Sequence, residues 1–117
     1  MNHQHASTFN GRSLLKALST NTNLQDLYHA NLDSCGLTTF PDDVLRLTHL
    51  SILSLFDNQL AEIPDSISQL SRLRSLNLAQ NRLTAVPDNI GKLEYLEMLD
   101  LGHNHLAALP GAVGQLA

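Results

Sequence analysis

Residues 73–95 read LRSLNLAQNRLTAVPDNIGKLEY, and this stretch decides the fold because the rest of the chain repeats it in register. A shift of 23 residues towards the amino terminus gives LSILSLFDNQLAEIPDSISQLSR, and the same shift forward gives LEMLDLGHNHLAALPGAVGQLA. One further step back gives a more divergent copy, LYHANLDSCGLTTFPDDVLRLTH. Nine positions keep their chemical character in the four copies, so the sequence predicts a stack of equivalent coils.

The spacing Leu-x-x-Leu-x-Leu-x-x-Asn-x-Leu that begins each copy resembles the leucine-rich repeat family. The resemblance covers residues 27–116, and Cys35 stands where the family's pattern allows cysteine in place of asparagine. The Pro-x-x-Ile segments are similar to those of plant intracellular Ras-group-related proteins and of bacterial members. The resemblance implies an α/β fold: a right-handed, horseshoe-shaped solenoid with a parallel β-sheet on its concave face and short helical or 3₁₀ turns on its convex face.

The segment before the repeats predicts an amphipathic capping helix. Leu14, Ala17 and Leu18 are spaced for one helical face, with Ser13 as the expected N-cap. The run from 15 to 27 resembles the helical half of a ribonuclease-inhibitor-type repeat, which would cover the open side of the first strand. The expected organisation is a flexible tail at 1–11, a helical cap at 12–26 and repeats at 27–49, 50–72, 73–95 and 96–117.

Alternation in the Leu-x-Leu pairs predicts which side chains face the core. Leu53 and Leu55, like their counterparts in the other copies, point inward, and the residues between them point onto the concave face. Ile52, Phe56 and Met98 would be large apolar groups on that face, which is typical of a protein-binding patch, although single exposed apolar residues are also ordinary. The predicted protein-binding residues are His29, Asn31, Asp33, Ile52, Ser54, Phe56, Asp57, Ser75, Asn77, Gln80, Met98, Asp100 and His103.

A structural ladder is predicted where each strand ends. A buried asparagine amide can bond the backbone N–H and C=O groups that a bend leaves without partners. The predicted ladder consists of Cys35, Asn58, Asn81 and Asn104. On the return path, the Asp that follows Pro41, Pro64 or Pro87 is expected to cap a short helical turn, and Pro110 lacks this Asp.

Composition narrows the classes of partner. The chain has 117 residues, enough for one domain, and its formal charge of −4 argues against nucleic acid or an anionic membrane surface as the partner. We expect neither a leader nor a membrane span, because no run is apolar enough. Cys35 is the single cysteine, which favours a reducing, cytoplasmic setting.

Candidate chemical sites are weak. The pairs His3/His5 and His103/His105 would each offer only two metal ligands, so solvated histidines, no metal and no cofactor are expected. Asp100 near His103 suggests acid–base chemistry but has no nucleophile beside it. Cys35 could be a nucleophile like that of bacterial leucine-rich repeat ubiquitin ligases, but a buried thiol is inert, so no catalytic residue is predicted.

The function predicted from the sequence is a non-enzymatic protein-interaction module used in intracellular signalling or scaffolding. Two alternatives remain open at this stage. The last repeat, through Val113 and Leu116, could pair with a second copy to give a homodimer. The chain could also be the recognition part of a larger enzyme, either a kinase or a ubiquitin ligase.

Overall fold

The computed structural model describes residues 11–20 and 23–106. It contains a helix α1 and strands β1 to β4, which alternate with three 3₁₀ helices. In chain order these are α1 (Gly11–Ser19), β1 (His29–Asn31), a 3₁₀ helix at Asp42–Arg46, β2 (Ile52–Ser54), a 3₁₀ helix at Asp65–Gln69, β3 (Ser75–Asn77), a 3₁₀ helix at Asp88–Lys92 and β4 (Met98–Asp100).

The four strands form one parallel sheet in the order β1-β2-β3-β4. Each strand pairs with the next at a displacement of one repeat, so that His29, Ile52, Ser75 and Met98 share one row across the sheet. The backbone bonds continue past the strands: Ser34 N donates to Phe56 O at 2.9 Å and Asp57 N donates to Ala79 O at 3.0 Å. The predicted parallel sheet with short turns opposite it is confirmed.

The core is a column of aliphatic side chains that runs through the coils. Leu53, Leu55, Leu76 and Leu78 are fully buried, as predicted from their alternation. The equivalent leucines of the last described coil, at 99 and 101, are only partly buried against this core. No further coil covers them among residues 23–106, so their transfer from water is incomplete.

Helix α1 closes the amino-terminal end of the core with Leu14, Ala17 and Leu18 buried. It begins at Gly11, so Ser13 lies inside the helix rather than at its N-cap. Gly11 itself has a φ of +52°, a left-handed conformation that glycine adopts without steric cost. Arg46 Nη2 donates to Leu18 O at 2.8 Å and so ties the end of the helix to the first repeat.

The convex turns form as 3₁₀ helices, but the expected capping role of aspartate is wrong. Pro41, Pro64 and Pro87 are themselves the N-caps, and none of the three helices has a side-chain cap hydrogen bond. The proline carbonyl closes each turn: Val44 N, for example, donates to Pro41 O at 2.9 Å. Each aspartate therefore lies in the first turn, where its charge suits the helix dipole.

Candidate functional site

The concave face begins with the row His29, Ile52, Ser75 and Met98, one residue from each strand. The first three side chains are half-buried between their neighbours. Met98, on the last described strand, is 44 % exposed. This row lies where the sequence predicted binding residues, and their role in binding stays a prediction.

The next row, two residues further along each strand, is used by the fold itself. Asn31 Oδ1 accepts the N–H of Asp33 at 2.9 Å, and Asn77 Oδ1 accepts that of Ala79 at 3.0 Å. Asp100 Oδ1 does the same for Gly102 at 2.9 Å. In each case the side-chain oxygen accepts a hydrogen bond from the backbone N–H two residues further along the chain, and this bond ends the strand. These three predicted binding residues therefore have a local structural task.

In the second repeat, the backbone N–H at the end of the strand has a different acceptor. Ser54 occupies the corresponding position and donates its hydroxyl to Asp33 Oδ1 in the previous repeat. The same carboxylate oxygen accepts the N–H of Phe56 at 3.0 Å. Asp33 thus replaces the acceptor that an asparagine at 54 would supply, and both predicted binding residues are held by this contact between repeats.

A third row marks the turn out of the sheet. Ser34, Asp57, Gln80 and His103 all adopt a left-handed backbone, with φ between 54° and 60°. Their side chains remain exposed, and Ser34 Oγ donates to Asp57 Oδ2 at 2.7 Å. A left-handed residue other than glycine costs about 1 to 2 kcal/mol, which the hydrogen bonds of the turn must offset.

The adjacent asparagines line up beneath this turn. Asn58 Oδ1 accepts the N–H groups of Cys35 and Leu37, each at 3.0 Å, while its Nδ2 donates to Leu32 O at 3.0 Å. Asn81 repeats the arrangement with Leu60 N at 3.0 Å. Asn104 accepts Leu83 N at 2.9 Å. The amides therefore hydrogen-bond neighbouring coils to each other at the turns, where the strands have ended and their backbone bonds no longer do so.

Cys35 occupies the first position of this series. Its thiol is buried and Sγ lies 3.5 Å from Asp33 O, to which it donates. Burial raises the pKa of the Cys35 thiol, while Arg12 lowers it and Asp33 raises it further. The environment therefore favours the neutral, unreactive form.

The large apolar residues of the face do not form one patch. Phe56 is 37 % exposed and lies beyond the end of β2, about 13 Å along the chain from Ile52 at strand spacing. Met98 is two strands from Ile52, or about 10 Å across the sheet. A partner would have to span the face to contact all three.

The pair His103/His105 does not have the geometry that metal ligation would need. His103 has a left-handed φ of 55°, so the extended geometry that would align it with His105 is absent. Within residues 11–20 and 23–106 no three His, Cys, Asp or Glu side chains are grouped to hold a metal. His3 and His5 lie outside the described residues, and so do Pro110, Val113 and Leu116.

A second surface, which the sequence did not predict, lies at the amino-terminal ends of the strands. It consists of residues just before and just after the first core leucine of each repeat. Tyr28 is 53 % and Tyr95 is 59 % exposed, which makes both of them more exposed than Phe56. We call this surface the amino rim and define it as Asp26, Tyr28, His49, Ser51, Arg72, Arg74, Tyr95 and Glu97. The 23-residue period could have revealed it, because these residues recur two positions apart in every copy.

Comparisons with known proteins identify a family and several solved structures that the chain resembles. The family model described as leucine rich repeat matches residues 25–83 and again 71–117. A search of curated proteins found no significant match to the chain. In the part that the structure describes, no helix is both long and apolar enough to cross a bilayer.

Several solved structures are similar. A leucine-rich repeat protein of Leptospira interrogans has 36 % identity and a TM-score of 0.76, over 91 % of this chain and 25 % of that one. The plant peptide hormone receptor RGFR1, in complex with RGF2, has 36 % identity and a TM-score of 0.70, over 80 % of this chain and 16 % of that one. An internalin of Listeria monocytogenes has 28 % identity and a TM-score of 0.70, over 80 % and 26 % of the two chains. The chain thus spans at most about a quarter of these proteins.

Proposed function

The chain belongs to the leucine-rich repeat family, and from this premise we propose that it is a non-enzymatic module whose rigid concave sheet binds a protein or peptide partner. Proteins of this fold are in general interaction modules. Among the similar structures, the plant receptor RGFR1 was solved in complex with RGF2, which supports a peptide or protein as the class of partner.

The row His29, Ile52, Ser75 and Met98 carries the proposal. The register aligns one side chain from each of four strands at a spacing of about 4.8 Å. Neither His29 nor Ser75 hydrogen-bonds through its side chain to another residue of the described part, and Ile52 and Met98 offer apolar surface. The row below it is occupied by strand-ending bonds, so this is the row whose side chains are available to a partner.

The backbone beneath the row supports tight positioning. Each strand is bonded to its neighbours, and the buried asparagines fix the turns that follow. A partner that docks here orders only a few side chains, because the backbone is already ordered. The entropic cost of binding is thereby small.

Within this proposal the module is a scaffold in intracellular signalling. A cytoplasmic setting suits its free, buried Cys35, since the raised pKa of the thiol disfavours reaction and the chain needs no disulfide for its core. Phe56 and Gln80 extend the contact surface from the strands onto the turn row.

The test is affinity capture with a face variant, Ile52→Thr, Phe56→Ser and Met98→Gln, which leaves the strand-ending side chains intact. Asp100 is kept because its carboxylate bonds Gly102 N. Binding partners recovered with the unaltered chain should be lost with the face variant, while the melting temperature changes by only a few degrees.

The matched control changes three exposed side chains on the convex turns, Asp42→Asn, Gln69→Ala and Lys92→Ala. This convex variant should keep the partners. If the convex variant loses them and the face variant retains them, the proposed surface is wrong.

A further inference from the structure

We propose that the amino rim is a second contact region and that it binds an acidic peptide segment. The inference rests on the proposed function, because it assigns the chemistry of the partner that the concave face would hold. It goes beyond that function in naming a cationic cleft at the amino-terminal ends of the strands, where the sequence predicted no binding residue.

The rim is built by the same alternation that builds the core. Leu73 is fully buried, so Arg72 and Arg74, one residue to either side of it, both extend towards solvent. With His49, Ser51 and Tyr95 they line one shallow cleft at the amino-terminal end of the strands. Three successive repeats contribute to this cleft.

The charges of the cleft are unbalanced. Arg74 Nη1 pairs with Glu97 Oε2 at 2.8 Å, and both side chains are largely exposed. Arg72 Nη1 lies 3.0 Å from His49 Nδ1, which must be the acceptor because a guanidinium can only donate. Within residues 11–20 and 23–106, Arg72 has no carboxylate partner, so its charge is met by an imidazole nitrogen and solvent.

Each arginine uses one nitrogen in these contacts, and the rest of its five-donor fork faces the cleft or water. A carboxylate is the group that this planar fork matches best. The chain as a whole carries a charge of −4, so this cationic cleft is a local exception that selects for a negative segment.

The tyrosines indicate that the segment is a peptide. Tyr28 and Tyr95 are the only tyrosines of the chain, and both lie exposed in the rim. Tyrosine and arginine, with tryptophan, are enriched among the residues that contribute most of the binding energy at protein interfaces. A phosphate backbone is the competing ligand, but it needs a row of cations along its length, and the cleft offers only Arg72 and Arg74.

The experiment selects displayed random peptides on the immobilised full chain and titrates the enriched, fluorescein-labelled peptides by anisotropy. The enriched sequences should carry Asp or Glu beside an aromatic or aliphatic residue. The pair Arg72→Gln and Arg74→Gln should weaken binding by about tenfold or more, and raising salt from about 50 to about 300 mM should weaken it too. The affinity of the double variant Arg72→Lys and Arg74→Lys should lie between those of the unaltered chain and of the glutamine variant, because lysine keeps the charge but lacks the planar fork of donors.

Arg82→Gln is the matched control, since it removes an exposed arginine that follows the ladder asparagine at the other end of the sheet. It should leave the affinity unchanged. Neutral or basic peptides, or an equal loss with Arg82→Gln, would overturn the inference. So would arginine-dependent binding of a labelled oligothymidylate without peptide binding.

The face variant separates the two proposals. Acidic peptides that are lost with the arginine variants and retained by the face variant support the rim and refute the concave row. Peptides that are lost with the face variant and retained by the arginine variants keep the concave row and overturn the rim. Recovery of no arginine-dependent peptide also overturns the rim.

Discussion

Replacing Asn58 by alanine should cost more stability than replacing Asn81, although both amides are buried and occupy the same place in their repeats. The difference lies in the backbone groups that would be left without a partner. For Asn81 that group is Leu60 N, because Leu55 O and Leu78 O are also bonded by Asn58 and Asn104.

For Asn58 the loss is larger. Cys35 N, Leu37 N and Leu32 O each have this one amide as their partner among the described residues. A buried donor or acceptor without a partner costs about 1 to 3 kcal/mol. The groups of the two buried residues, Cys35 N and Leu32 O, together give about 2 to 6 kcal/mol for Asn58→Ala, and Leu37 N, in a partly buried residue, adds to this loss. Asn81→Ala should cost about 1 to 3 kcal/mol.

Urea unfolding followed by circular dichroism measures both values, and Gln59→Ala controls for loss of an exposed amide, with a change within about 0.5 kcal/mol. Leu55→Ala and Leu78→Ala control for position in the stack, because both leucines are fully buried in adjacent repeats. The leucine pair should lose similar stability. Equal losses for the two asparagines, or the same gap between the leucines, would refute the reasoning.

Three further predictions concern single contacts. Gln80→Asn should stabilise the fold by about 0.5 to 1 kcal/mol in urea unfolding, because asparagine tolerates the left-handed backbone, whereas Gln59→Asn, at ordinary φ, should give no gain. Arg46→Gln should speed amide exchange in α1 by removing the bond to Leu18 O, and no change in exchange would mean that the helix docks by packing alone. Burial raises the pKa of Cys35, so the thiol of the unfolded chain loses its proton first as pH rises, and stability should fall above about pH 9. Cys35→Ser should abolish this fall, measured as melting temperature against pH. A serine variant with the same fall would contradict the assignment of the pH dependence to Cys35.

The repeating part of the fold follows directly from the sequence. Leucines two residues apart define the strand direction, and a constant period fixes the register, which is why Leu53 and Leu76 lie in the core and Met98 faces solvent. One substitution does not disturb such a pattern, because neighbouring coils enforce it.

The use of individual polar side chains could not be read from the same pattern. Asn31 and Asp33 both alternate outward, but one bonds its own strand end and the other serves the next repeat. That second role depends on Ser54 being too short to act as the local acceptor, which is a contact between repeats. Similarly, the sequence offered Ser13 as the cap of α1, whereas the helix already begins at Gly11, which has a left-handed φ.

The central claim is that the concave row and the amino rim bind the partner. Chemical-shift mapping by nuclear magnetic resonance tests it most directly, with the ¹⁵N-labelled chain and a partner or peptide captured as described above. We predict that the largest changes fall on the row His29, Ile52, Ser75 and Met98 and on the adjoining amino rim. Changes concentrated on the convex 3₁₀ helices, with the sheet amides unmoved, would contradict the account.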